Sequence, residues 1–106
     1  MNVIYKERCM GKTHDLVEEA NNMEGYNLIV CFCRQEAERV WLIIKEKSYK
    51  LPMPITFNDF INNRYAGINI KNLYIDNIDL CLQSISRSPI GCITLNKDVI
   101  SESDVK

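Results

Sequence analysis

Gly11-Lys12-Thr13 is the tripeptide of this chain whose residue types best suit phosphate chemistry. A glycine at a helix start leaves backbone N–H groups open to cradle phosphate oxygens, and a lysine beside it meets the outer phosphates. A threonine hydroxyl then helps to hold Mg2+. Cys9 and Met10 precede the tripeptide in the same loop. Further along, Leu73, Tyr74 and Ile75 form an apolar run that ends in Asp76, followed by Asn77, Ile78 and Asp79. A carboxylate at a strand end complements the threonine hydroxyl, because both offer hard oxygen ligands to Mg2+. The two motifs lie about 65 residues apart, which suits two strands of one nucleotide-binding sheet. The full loop pattern is G-x-x-x-x-G-K-[ST], and here Lys6 takes its first position. The plainer alternatives are a solvated helix start for Lys12 and a helix cap for Asp76.

The elements that must position these residues are readable around them. Residues 2–5 (NVIY) read as a short strand, followed by the polar stretch KERCMGKTHD. Over 12–23, Leu16, Val17, Ala20 and Met23 share one helical face, and Gly25 ends the helix. Residues 26–32 (YNLIVCF) are continuously apolar and predict a strand covered on both faces. Over 33–47, Ala37, Val40, Trp41 and Ile44 recur at helical spacing. Pro52 and Pro54 then break the chain, and Thr56 caps a short helix containing Phe57, Phe60 and Ile61. Residues 68–75 predict a third strand leading into Asp76, and Ile78, Cys81, Leu82 and Ile85 mark a helix that Pro89 and Gly91 stop. Residues 92–95 (CITL) predict a fourth strand. Alternation of this kind predicts an α/β three-layer sandwich, a mainly parallel sheet with helices on both sides. Ligands of such sheets bind beyond the carboxyl ends of the strands, here residues 6–13, Arg34 with Gln35, 76–79 and 96–98.

The 106 residues suit one domain, read as 1–100 with a polar tail over 101–106. A composition of 46% hydrophobic and 25% charged residues argues against disorder. The formal net charge of −1 provides no global field for a polyanion, so nucleic acid is weakly supported as a partner. Arg34, Arg39, Lys45, Lys47 and Lys50 are interleaved with Glu36, Glu38 and Glu46, as on a solvated face, and Trp41 sits on an apolar stripe. The five cysteines, without a recognisable signal peptide, read as reduced thiols of a cytoplasmic protein. Cys31 and Cys33 fall short of the four ligands of a closed zinc site. Cys9, beside Lys12 and a helix start, is either redox-sensitive or an inert loop thiol, and His14 reads as an exposed first-turn residue. No apolar run approaches the roughly 18 residues of a membrane span, so no membrane partner is expected.

On these motifs the chain resembles the P-loop NTPases of the helicase type, most closely short phage-encoded proteins that look like a lone first helicase domain. RCMGKT resembles the phosphate loop and YIDNID the DEAD-type acidic motif. VCFCRQEAERV resembles the strand and helix after the loop, and ITLNKD the later strand whose polar end, Asn96 here, senses phosphate. The resemblance implies a truncated P-loop NTPase-like fold of strand order 1-4-3-2, with ATP or another NTP and Mg2+ as cofactors. It implies a nucleotide cradle of Cys9, Met10, Gly11, Lys12, Thr13 and Asn96, catalytic roles for Asp76 and Asp79, and Mg2+ held by Thr13 and Asp76. Asn77 stands where the family has its catalytic glutamate, and residues 1–106 hold no second helicase domain to supply an arginine finger. Two functions follow as expectations. One is a nucleotide-binding protein with weak or partner-dependent hydrolysis. The other is a non-catalytic interaction module or inhibitor that binds a host or phage protein on a relic of the fold, which Lys6 and Asn77 favour.

Overall fold

The computed structural model describes residues 2–6, 11–64 and 69–96. Helix α1 (Lys12–Asn22) turns Val17 and Ala20 fully inward, with Leu16 packed at the edge of the core. Met23, expected on that face, is 51% exposed. The helix ends at Asn22 and Met23 is already extended, so it leaves the helical stripe. Two residues on, Gly25 has φ +97, and a Cβ there would lie 2.9 Å from the Cβ of Lys71. Only glycine allows both that backbone and that approach.

Strand β1 (Asn27–Cys31) is buried along its whole length, as its apolar run predicts. Its alternating side chains serve two cores. Ile29 and Cys31 meet α1 and helix α2 (Arg34–Glu46), through Val17, Ala20, Ala37, Val40 and Ile44. Val30 faces the other way, toward Phe57 and Cys81. Each fully buried Val or Ile contributes roughly 1.5–3 kcal/mol. Trp41 packs against the first core, with the Lys45 ammonium 5.6 Å from its ring centre.

The polar exception in β1 is Asn27. Its amide donates to the Ala20 carbonyl at 3.0 Å, which also accepts from the Met23 N–H at 3.4 Å, and to the Met23 carbonyl at 2.7 Å, beyond the end of α1. Its own oxygen accepts from Asn72 at 3.3 Å, joining the end of α1 to two neighbouring strands.

Strand β2 (Ile55–Thr56) pairs parallel with β1, and Thr56 then caps helix α3 (Phe57–Ile61), its hydroxyl accepting from the Asp59 N–H at 3.1 Å. Strand β3 (Asn72–Ile75) pairs parallel with the other edge of β1, in the register Val30↔Ile75, and leads into helix α4 (Ile78–Ser84). The sheet is all parallel in the order β2-β1-β3, with α1 and α2 on one face and α3 and α4 on the other.

The expected four-strand order 1-4-3-2 is therefore not formed among the described residues; of its adjacencies, the pairing of the strand over 27–31 with the one leading into Asp76 is present. Residues 2–5 make only an isolated bridge at Tyr5, and residues 92–95 form no strand, with Ile93 and Leu95 exposed. Each of these segments is only four residues long, and β3 is left as an edge strand of the sheet. The same gap leaves Ile78 and Ile85 of the fourth helical stripe exposed, while Cys81 is buried and Leu82 packs beside it. Cys92, expected in a strand, is exposed too.

Candidate functional site

Among the described residues, no side chain caps the start of α1. Gly11 is its N-cap, in the left-handed conformation at φ 81, ψ 20, and has no side chain to bond the first-turn N–H groups of Lys12, Thr13 and His14. The Asp15 N–H makes the first helical bond, to the Gly11 carbonyl at 3.0 Å. Cys9 and Met10 lie outside the described residues. The segment that precedes the loop is tied to the helix that follows it: the Lys6 ammonium pairs with the Asp15 carboxylate, and the Asn2 amide donates to Glu19 at 2.7 Å.

Asp76 follows β3 directly. Its N–H donates to the Val30 carbonyl at 2.9 Å, so the backbone beneath the carboxylate is held as the last rung of the β1–β3 ladder. The side chain is 3% exposed. The Thr13 hydroxyl, itself buried, donates to this carboxylate, 3.1 Å from Oδ2 and 3.3 Å from Oδ1. Two motifs 63 residues apart in sequence thus meet at the carboxyl end of the sheet.

Burial pushes the Asp76 carboxyl above the usual carboxylate range. The Thr13 hydrogen bond opposes that shift, Glu36 adds to it by charge repulsion, and the charges of Arg39 and Lys12 oppose it. Among the described residues no salt bridge reaches Asp76. Below it, the Cys81 thiol donates to the Asp76 carbonyl at 3.4 Å and is pushed up to about 11 by burial and by the charges of Asp76 and Asp79. Burial also raises the Cys31 thiol, so both buried thiols are protonated at neutral pH.

A carboxylate and a hydroxyl side by side suit a small hard cation. Mg2+ takes few protein ligands and completes its shell with water and phosphate oxygens, which fits the two oxygen donors present.

The other expected site residues lie apart from this pair. Lys12 is half-buried at the helix start. Asp79 is exposed in the first turn of α4, and Asn96 is exposed, with no hydrogen bond to Thr13 or Asp76 among the described residues. Asn77 caps α4 in the left-handed conformation at φ 54. His14, Arg34 and Gln35 are exposed. Sequence reasoning passed over Glu36 and Arg39 as surface charges. Arg39 donates through Nε and Nη2 to Glu36 Oε2, at 3.1 and 2.8 Å, and both charges bear on Asp76. The signal was there, because residues just beyond a strand were singled out and Glu36 follows Gln35.

Fold and geometry together define a small α/β domain with an all-parallel sheet, carrying a buried carboxylate–hydroxyl pair at the carboxyl ends of its strands. Set against known proteins, the chain matches no family model, no curated protein and no solved structure. Among the described residues no helix is long and apolar enough to cross a membrane.

Proposed function

We propose that this protein binds a nucleoside triphosphate such as ATP, with Mg2+, in the manner of a reduced P-loop NTPase of the helicase type, and hydrolyses it slowly or with a partner's help. The observation that carries the reading is the hydrogen bond between Thr13 and Asp76 beneath the uncapped start of α1. A threonine hydroxyl and a buried aspartate are the pair that would hold Mg2+ beside the phosphates. The first-turn N–H groups of α1, uncapped by any side chain among the described residues, and the Lys12 ammonium would take the phosphate oxygens. Lys6, which replaces the first glycine of the loop pattern, is accommodated by its ion pair with Asp15.

Calorimetry and thermal melting with ATP, GTP and ADP, with and without Mg2+, test this on the wild type and Lys12→Ala. Ligand at a hundred times its Kd stabilises by about 2.7 kcal/mol, or roughly 10–20 °C in a domain of this size. The wild type should show such a shift and Lys12→Ala should lose it. No shift in the wild type at millimolar nucleotide would refute the reading.

A second reading, a non-catalytic module that binds a host or phage protein, is favoured by a different observation. Ile78, Ile85, Ile90, Ile93 and Leu95 are all exposed on or after α4. Under that reading Lys12→Ala leaves partner binding intact.

A further inference from the structure

Water that attacks a terminal phosphate must give up a proton, and the residue after the strand-end aspartate is Asn77, whose amide cannot take it. Asp76 is engaged by Thr13 and almost fully enclosed. Another carboxylate is carried to this corner by the sheet. β1 and β3 run parallel and end side by side, with Val30 opposite Ile75. α2 starts just past β1, with Cys33 as its N-cap, and its first turn carries Glu36 at that same end of the sheet. The Glu36 side chain is 24% exposed, so water reaches it, while its charge is felt by the buried Asp76. Arg39 grips Oε2 through two N–H groups, and among the described residues nothing bonds Oε1.

We infer that Glu36 is the catalytic base of the hydrolysis proposed above, with Arg39 as the residue that positions it. The inference rests on the nucleotide reading. In the step, a Glu36 carboxylate oxygen takes a proton from water as the water oxygen bonds to the terminal phosphorus. The bond from that phosphorus to its bridging oxygen breaks, and the electron pair leaves with the nucleoside diphosphate. Inorganic phosphate is the other product, and Glu36 then returns its proton to solvent. No electron is gained or lost.

The test uses the full chain in excess over ATP with Mg2+, comparing wild type, Glu36→Gln and Glu38→Gln, an exposed charge of the same helix. Three quantities are read: the single-turnover rate, the melting shift caused by nucleotide, and the identity of the nucleotide that stays on the protein through gel filtration. Glu36→Gln should slow turnover by about 10²-fold or more, keep the melting shift, and retain triphosphate where the wild type retains diphosphate. Glu38→Gln should behave as wild type. A Glu36→Gln protein that turns over at the wild-type rate overturns the inference. A wild type that binds without turnover also overturns it and leaves the binding reading standing, whereas a wild type with no melting shift removes both. The melting curve of each unliganded variant separates loss of fold from loss of chemistry.

Discussion

Asp76→Asn exchanges a carboxylate for an amide of nearly the same shape at a position only 3% exposed. The amide oxygen can still accept from the Thr13 hydroxyl, but the charge that burial disfavours is gone. No salt bridge among the described residues is lost with it. The new NH2 group brings donors that the site does not satisfy, so the gain is partial. About 0.5–2 kcal/mol is the usual size of a stabilising change of this kind, and each kcal/mol raises the melting temperature of a domain this small by about 4–8 °C.

The dependence on pH gives this prediction its sharpest form. The native carboxyl is raised above its unfolded value, near 3.9 for a free aspartate. Between the unfolded and the folded pKa, the native state keeps a proton that the unfolded chain has released. The wild type therefore loses stability as pH rises through that interval, by up to about 1.4 kcal/mol per pH unit, and levels off above the folded pKa. Asp76→Asn lacks this slope. Urea denaturation of both proteins from pH 4 to 8 should show a difference that is smallest in acid and grows to a plateau in favour of the variant. Mg2+ with nucleotide should stabilise the wild type and not the variant. A variant that is less stable at neutral pH, by an amount that does not change with pH, would refute the reasoning.

Two further outcomes follow from the same geometry. Thr13→Val removes the only hydrogen bond to the Asp76 carboxylate among the described residues and should cost about 1–3 kcal/mol at neutral pH. In an Asp76→Asn background the cost should shrink, because the charge is gone; strict additivity in a denaturant double-mutant cycle would show that the two side chains are not coupled. Asn27→Ala removes the side-chain donor to the carbonyls of Ala20 and Met23 and the acceptor of the Asn72 amide, leaving Ala20 only its bond from the Met23 N–H. It should lower stability by about 1–3 kcal/mol, read as a fall in the urea midpoint at unchanged slope.

The parts of the fold legible in the sequence are those fixed by local pattern. The α1 stripe apart from Met23, the α2 stripe, the apolar run of β1 and the Thr56 cap stand where spacing placed them, because each depends on residues within a few positions. What spacing could not supply was the partnership of strands. Ile55–Thr56 is a strand only because β1 offers it an edge, and two residues carry no pattern of their own. Residues 92–95 carry a strand-like pattern and have no partner in the sheet. At the site, residue type and strand ends pointed to Thr13 and Asp76, which do meet. Glu36 and Arg39 carry only a weak signal, their closeness to a strand end, because a charged residue in the first turns of an amphipathic helix has the composition of a solvated face. Their bearing on Asp76 comes from the parallel pairing of β1 and β3, which brings the start of α2 and Asp76 to the same end of the sheet.

The two readings of function part over the role they give that carboxylate. In an interaction module, Asp76 only costs stability: its charge is desolvated, repelled by Glu36, and answered by one neutral hydroxyl and, with no salt bridge among the described residues, by the charges of Arg39 and Lys12. In a nucleotide-binding protein the same burial is what gives the carboxylate its affinity for a cation, because a charge weakly solvated by the protein gains most from a metal that enters. The two readings therefore predict opposite signs for one substitution under two conditions. If Asp76→Asn is the more stable protein without ligand and the less stable one with Mg2+ and ATP, the buried charge serves the ligand. If it is the more stable protein in both, the carboxylate does no work for a nucleotide, and the exposed isoleucines of the α4 side become the surface to pursue.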